Sequence, residues 1–226
     1  HLRPILDFKD ENDRKQFRDI ATASAKLVKK YNGSLSGEHG DGRVRAEFIP
    51  MMAGEKNYQL FKRIKQTWDP QNIFNPGKIV DAAPMDTSLR YELGQKNDKL
   101  QTVFDFNHGE GMLAAAEKCN GSGDCRKSHL SGGTMCPSYM ATKNEKDTTR
   151  ARANLLREYL TRSTQHNRFD SRELYEVLDL CLSCKGCKSE CPSNVDMATL
   201  KAEFLHQYYQ SNGVPFRARA MANIGK

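Results

Sequence analysis

The segment Cys181-Leu-Ser-Cys184-Lys-Gly-Cys187-Lys-Ser-Glu-Cys191-Pro spaces its cysteines by two, two and three residues and ends with a proline. Three thiolates at two-residue intervals can surround three irons of a cubic [4Fe–4S] cluster, and a distant cysteine closes the fourth corner. Structural zinc also uses closely spaced cysteine pairs, but it needs neither the third cysteine nor the proline. The spacing therefore favours iron–sulfur over zinc.

A degraded copy of the same pattern lies earlier in the chain. Cys119 and Cys125 occupy the outer positions of a second run, and Ser122 replaces the middle cysteine. Cys136 follows later and, like Cys191, precedes a proline. The two runs therefore form an internal repeat, with one copy complete and the other lacking a thiol.

The ligand sets follow from an exchange of cysteines between the two runs. In two-cluster ferredoxins, the fourth cysteine of each run binds the cluster of the other run. The repeat therefore predicts one [4Fe–4S] cluster on Cys136, Cys181, Cys184 and Cys187. The second site would comprise Cys119, Cys125 and Cys191.

Serine at position 122 leaves the content of the second site open. Serine is a poor iron ligand beside thiolate. A [3Fe–4S] cluster, an oxygen-ligated [4Fe–4S] cluster and an empty site are all compatible with three thiolates and one hydroxyl. We expect this site to be empty or labile.

The amino-acid composition argues against a nucleic-acid-binding protein and against a membrane-spanning segment. The 226 residues carry 35 Lys and Arg against 28 Asp and Glu, a net charge of +7. No clustered basic and aromatic surface is evident, so we expect no nucleic-acid partner and set aside a zinc-stabilised nucleic-acid module. No apolar run approaches the roughly 20 residues that a membrane span requires.

The cysteine count and the N-terminus indicate the compartment. Seven cysteines argue against disulfides in a chain that shows no signal peptide. The chain begins with His1-Leu-Arg-Pro rather than Met. We therefore expect a cytoplasmic piece of a longer protein, free or peripheral at a membrane.

Apolar residues at helical spacing predict helices in both halves of the chain. In the first half they cover residues 10–31 and 54–68. In the second half, helices are predicted to open at Thr142, Asp170 and Ser193, because an acidic residue follows each three positions later. Short strands are predicted elsewhere, at residues 1–7 and 102–106.

A glycine-rich segment, Gly37-Glu-His-Gly-Asp-Gly-Arg43, sets an acid beside an imidazole. Glycines let a backbone approach a ligand closely. A histidine accepts a proton near neutral pH, and a neighbouring glutamate can orient it or bind a cation. Taken alone, such a loop is more often without function than functional.

Two sets of motifs resemble known families. Gly-Glu-His-Gly-x-Gly, followed by Asp69-Pro-x-x-Ile-Phe-Asn-Pro-Gly-Lys78, resembles the C-terminal part of the FAD-linked oxidases, which include D-lactate and D-2-hydroxyglutarate dehydrogenases and the glycolate oxidase flavin subunit. His1 resembles the end of that family's His-x5-Leu-His motif. The cysteine-rich half is similar to the dicluster ferredoxin-type domain of bacterial Fe–S oxidoreductases. Large bacterial D-2-hydroxyacid dehydrogenases carry both halves.

This resemblance implies roles for residues of the first half. His39 would be the base that removes the substrate hydroxyl proton while hydride leaves for flavin. Glu38 and His1 would hold a divalent cation that polarises the same hydroxyl. Asn75 would lie near the flavin.

The resemblance also implies an α+β fold in two domains. Residues 1–82 would be a partial flavin-oxidase cap or substrate domain, 83–110 a linker, and 111–226 an all-α ferredoxin-type domain. An FAD domain would precede the chain, and an electron-acceptor domain or protein would follow it.

The implied function is oxidation of a D-2-hydroxy acid of the lactate, 2-hydroxyglutarate or glycolate class. Electrons would pass from FAD to the [4Fe–4S] cluster and on to the acceptor. This chain alone would be inactive, because the FAD-binding domain is not part of it. The alternative is a non-enzymatic ferredoxin-like subunit that docks on a flavoprotein.

Overall fold

The computed structural model describes residues 3–91, 93, 100–106, 111–164 and 167–225. The chain divides into two compact units, His1–Lys96 and Asn97–Lys226. The first unit contains α1 (Glu11–Lys30), α2 (Gly42–Arg45), α3 (Ile49–Ala53) and α4 (Glu55–Trp68). The second contains α5 (Met112–Glu117), α6 (Pro137–Thr142), α7 (Thr149–Arg162), α8 (Arg172–Asp179), α9 (Gly186–Glu190), α10 (Met197–Asn212) and α11 (Phe216–Ala222).

The predicted α+β fold is wrong, because the described residues contain helices and no strand. Each predicted strand is absent for a reason of its own. Ile5 is almost fully exposed, so the segment that contains it is not a buried strand. The backbone N–H groups of Val103 and Phe104 each donate to the buried carboxylate of Glu203, at 3.0 Å, instead of to a neighbouring strand. Backbone donors that find a side-chain acceptor do not need a sheet.

The long helix α1 opens the first unit. Its N-cap is Asp10, whose carboxylate accepts from the N–H of Asp13 at 3.0 Å, and such caps typically contribute about 1 kcal/mol. Ala25 on α1 packs with Phe48 and Met85 in a small core. Arg18 on the same helix binds the carboxylates of Glu47 and Asp86.

Arg18 ties the residues after 83 to the first unit. Its guanidinium lies 2.7 Å from Glu47 Oε1 and 2.6 Å from Asp86 Oδ1. Residues 83–91 therefore pack on this unit, although the sequence places them in a linker. In the second unit, Leu100 and Phe106 pack against the core. The domain boundaries inferred from the sequence stay predictions.

The second unit is built around one apolar core. The interior positions of α7, α8 and α10 supply many of its most deeply buried members, among them Leu156, Leu160, Leu174, Leu178 and Phe204. Each of these helices opens with a side-chain cap, from Thr148, Ser171 and Asp196 respectively. The core fixes the ends of these helices, and those ends carry the cysteine-bearing loops.

In the described part of the chain, no helix combines the length and apolar character that crossing a membrane requires.

Candidate metal centre

The four cysteines of the predicted cluster line one cavity in the second unit. They come from two separate segments, one carrying Cys136 and the other carrying Cys181, Cys184 and Cys187. Cys136 and Cys187 are buried, Cys181 is half-buried and Cys184 is exposed. The four cysteines that the spacing assigned to one cluster therefore line the same cavity, and their role as ligands stays a prediction.

Two of these sulfur atoms receive backbone N–H groups at helix N-termini. The N–H of Thr149, the first residue of α7, donates to Cys136 Sγ at 3.0 Å. Cys187 receives the N–H groups of Met197 and Ala198, at the start of α10. Burial raises the pKa of Cys187, and these donors oppose that shift. Both sites suit a bound thiolate, because a helix N-terminus stabilises negative charge.

Glu190 joins the two cysteine segments. Its Oε1 accepts from the N–H and the hydroxyl of Thr134, each at 2.7 Å, and its Oε2 accepts from the N–H of Met135 at 3.1 Å. These hydrogen bonds, first those of Thr134, hold the pKa of Glu190 below its ordinary value. Since Met135 precedes Cys136, the carboxylate fixes that cysteine against the loop of the complete run.

The loops approach so closely that one position requires glycine. A Cβ on Gly186 would lie 2.8 Å from Thr134 Oγ1 and 3.1 Å from its carbonyl oxygen. The backbone is also unusual nearby, because Cys136, Ser183 and Lys185 have positive φ angles of 58°, 54° and 64°. Left-handed non-glycine residues cost energy and concentrate at functional sites.

Gly186→Ala is therefore expected to push the Cys136 segment away from the other three thiols. Iron retained per chain after anaerobic reconstitution should fall several-fold, measured by iron and sulfide analysis. Gly225→Ala is the matched control, because a Cβ at that position meets no atom within 4 Å. Equal iron in both variants would show that the close approach is not needed.

Lys201 on α10 holds the start of the segment that carries Cys181, Cys184 and Cys187. Its ammonium donates to the carbonyl oxygens of Asp179 at 2.9 Å and Cys181 at 2.7 Å. Burial lowers the pKa of this lysine, as expected for an ammonium withdrawn from water. The contact places a cation next to Cys181 and joins the end of α8 to α10.

The cysteines of the predicted second site are all buried, but one of them contacts the first site. The thiols of Cys125 and Cys136 are hydrogen-bonded to each other. This contact lowers the pKa of Cys125 to about 6 and raises that of Cys136, because one thiol donates to the other's thiolate.

The remaining members of the second site have partners of their own. The amide of Asn154 lies 3.9 Å from Cys119 Sγ. The hydroxyl of Ser122 is hydrogen-bonded to Asp124, which lowers the pKa of that carboxyl. Cys191 shares the core with Cys119 and Cys125. Ligation by this set, and by Ser122 in particular, stays a prediction.

The donor set at the first site is chemically suited to a [4Fe–4S] cluster, since four cysteines line one cavity and the sulfur atoms of two of them accept backbone N–H groups. Each thiolate of such a cluster binds a different iron. Among the residues that the structure describes, no three His, Cys, Asp or Glu side chains are placed to hold one metal ion.

The residues implied for hydroxy-acid oxidation lie in the first unit. His39 Nε2 is 3.0 Å from Glu38 Oε1, and both side chains are exposed. Glu38 lines a cavity of about 610 Å³ with the glycine-rich segment and α3, whereas His39 and Asn75 are not among its lining residues. Asn75 is exposed and has a φ of 47°. His1 lies outside the described residues, so the cation pair remains a prediction.

Comparison with known families defines the class of each unit. Residues 1–79 match the family described as FAD linked oxidases, C-terminal domain. Residues 118–196 match the family described as 4Fe-4S dicluster domain. The chain thus joins an FAD-linked oxidase C-terminal domain to an iron–sulfur domain. These matches confirm the predicted resemblance and support FAD and a [4Fe–4S] cluster as cofactors.

Individual relatives that align with almost all of this chain are D-2-hydroxyglutarate dehydrogenases. A D-2-hydroxyglutarate dehydrogenase from Pseudomonas putida is 31% identical and aligns with 96% of this chain but 24% of its own length. That of Escherichia coli is 29% identical, over 99% of this chain and 25% of its own. The glycolate oxidase subunit GlcD of Bacillus subtilis is 34% identical over 31% of the chain, 15% of its own length. The chain thus spans about a quarter of these dehydrogenases, and no solved structure matches it.

Proposed function

We propose that this chain is part of a flavin- and iron–sulfur-dependent dehydrogenase that oxidises a D-2-hydroxy acid. The observation that carries the proposal is the convergence of four thiols on one cavity, in a chain that aligns almost entirely with D-2-hydroxyglutarate dehydrogenases. FAD, when bound, takes up the electrons of the oxidation, and a [4Fe–4S] cluster, when bound, relays them singly to an acceptor.

The residues of the second unit hold the relay. Cys136, Cys181, Cys184 and Cys187 supply the thiolates. Helix N-termini donate N–H groups to Cys136 and Cys187. Glu190 fixes the segment that carries Cys136, and Lys201 fixes the start of the segment that carries Cys181. Cys184 is the exposed ligand. It therefore marks the side of the site that a redox partner can approach.

His39 is the proposed base of the first unit. When its Nε2–H donates to Glu38, the neutral ring carries its basic lone pair on Nδ1. That atom would accept the substrate hydroxyl proton. Glu38 would orient the ring, and with His1 it would bind a divalent cation.

Anaerobic titration of the full-length protein with D-2-hydroxyglutarate tests this function. Flavin absorbance should bleach first, and an EPR signal of a reduced cluster should follow. D-lactate and glycolate serve as comparison substrates, because a D-lactate dehydrogenase and a glycolate oxidase subunit are similar to about a third of this chain. A protein whose flavin no 2-hydroxy acid reduces, while its cluster still accepts electrons from a flavoprotein, would instead be a ferredoxin-like carrier.

A further inference from the structure

A buried ion pair lies beside the cavity formed by the four thiols. Arg152 on α7 and Asp147 just before it are each about 2% exposed, with Arg152 Nη2 3.4 Å from Asp147 Oδ1. Burying a charge is costly unless it is paired and hydrogen-bonded. Replacing a buried ion pair by well-packed apolar side chains is often neutral or stabilising, so such a pair is weak evidence of a purely stabilising role.

The guanidinium of Arg152 joins three segments of the site. It donates to the hydroxyl of Ser138 at 3.0 Å, to the carbonyl of Asp147 at 2.6 Å and to the carbonyl of Val177 at 2.9 Å. Ser138 follows Cys136 by two residues, and Val177 precedes Cys181 by four. One side chain therefore fixes both ligand-bearing segments relative to the start of α7.

The two charges are not equivalent with respect to the cavity. Arg152 is among the residues that line it, and Asp147 is not. The carboxylate of Asp147 is held by the hydroxyl of Thr142 at 2.7 Å as well as by Arg152. An anionic group in the cavity would therefore be nearer to the positive member of the pair, in an environment with little water to screen it.

We infer that Arg152 is a positioning residue for the proposed cluster and that the Arg152–Asp147 pair sets its reduction potential. The guanidinium stabilises the added negative charge of the reduced state, and the carboxylate moderates that effect. The inference rests on the four-thiol site of the proposed function.

Asp147→Asn is the sharpest test, because it removes one charge and keeps the backbone carbonyl that Arg152 uses. The reduction potential should rise, with about a tenfold change in the reduction equilibrium, or about 59 mV for one electron. Arg152→Gln should lower the potential, and the double variant should return towards the wild-type value. Glu176→Gln is the control, since it removes an equal charge from an exposed pair on α8 and should leave the potential unchanged.

Arg152→Lys separates the effect of the hydrogen bonds that Arg152 donates from the effect of its positive charge. It keeps the cation but loses the planar fork that reaches three acceptors. Its potential should stay near the wild-type value, while a chelator should remove its iron several-fold faster. These measurements use EPR-monitored redox titration and iron release on anaerobic protein.

The results of these experiments test this inference separately from the proposed function on which it rests. A wild-type protein that holds no cluster overturns both. Intact clusters whose potential shifts in the same direction in Asp147→Asn and Arg152→Gln, or in neither, overturn the inference alone. If Arg152→Gln does not fold, Asp147→Asn and Arg152→Lys still decide it.

Discussion

Cys184→Ala is expected to hold less than one iron per chain, against about four in the anaerobically purified wild type if only the complete site fills. The reason is direct, since a [4Fe–4S] cluster that loses one of four thiolates is poorly retained. Cys184 is the exposed member of the set, so its replacement creates no buried cavity. Loss of iron would therefore report loss of a ligand and not loss of the fold.

Metal analysis and circular dichroism together make this test decisive. Leu182→Ala is the matched control, because Leu182 lies in the same loop and is largely exposed, but has no metal-binding group. A Cys184→Ala sample with unchanged iron and unchanged helix content would refute the ligand assignment. A wild-type protein that contains zinc in place of iron would support the structural zinc site that the spacing disfavours. A wild-type protein with about eight irons per chain would show that the second site also binds a cluster.

The sequence predicted the positions of the helices more accurately than the residues at which they begin. The predicted helices over 10–31 and 54–68 are observed at Glu11–Lys30 and Glu55–Trp68. The helix predicted to open at Thr142 instead begins after Thr148. Several capping residues occur in that stretch, and Thr142 is engaged by Asp147. Only the three-dimensional partner of each hydroxyl decides which one caps.

The strands could not be excluded from local sequence. Val103 and Phe104 favour extended structure by their side chains. Their backbone donors are met by Glu203, which lies 100 and 99 residues away along the chain. A buried carboxylate at that distance leaves no mark in the pattern around residue 103.

The candidate site also combines features set by neighbouring residues with features set by residues far apart in the chain. The spacing of Cys181, Cys184 and Cys187 is local, whereas Cys136 was assigned by the ligand exchange typical of two-cluster ferredoxins. All four line one cavity. Glu190 was missed because its partner Thr134 is 56 residues away. Arg152 did leave a signal, since it precedes the buried Leu156 and Leu160 by four and eight positions. A charge on the apolar face of a helix indicates a buried partner.

His39→Ala in the full-length enzyme is expected to slow reduction of the flavin by about 10²–10⁴-fold, the usual contribution of a general base. Substrate affinity should change far less, because the base acts mainly while the proton moves. Glu38→Ala should instead raise the apparent substrate constant and lower the content of bound divalent cation. Its carboxylate lies 3.0 Å from His39 Nε2, so it should also slow the proton transfer to a smaller degree.

Single-turnover stopped-flow measurement of flavin absorbance separates these effects from electron transfer to the second unit. His129→Ala is the matched control, because it removes another exposed histidine from the other unit and should leave flavin reduction unchanged. If His39→Ala reduces its flavin within a few-fold of the wild-type rate, His39 is not the base. Since Glu38 lines the cavity of the glycine-rich segment and His39 does not, a larger loss of rate in Glu38→Ala would move the proton-accepting role to the carboxylate.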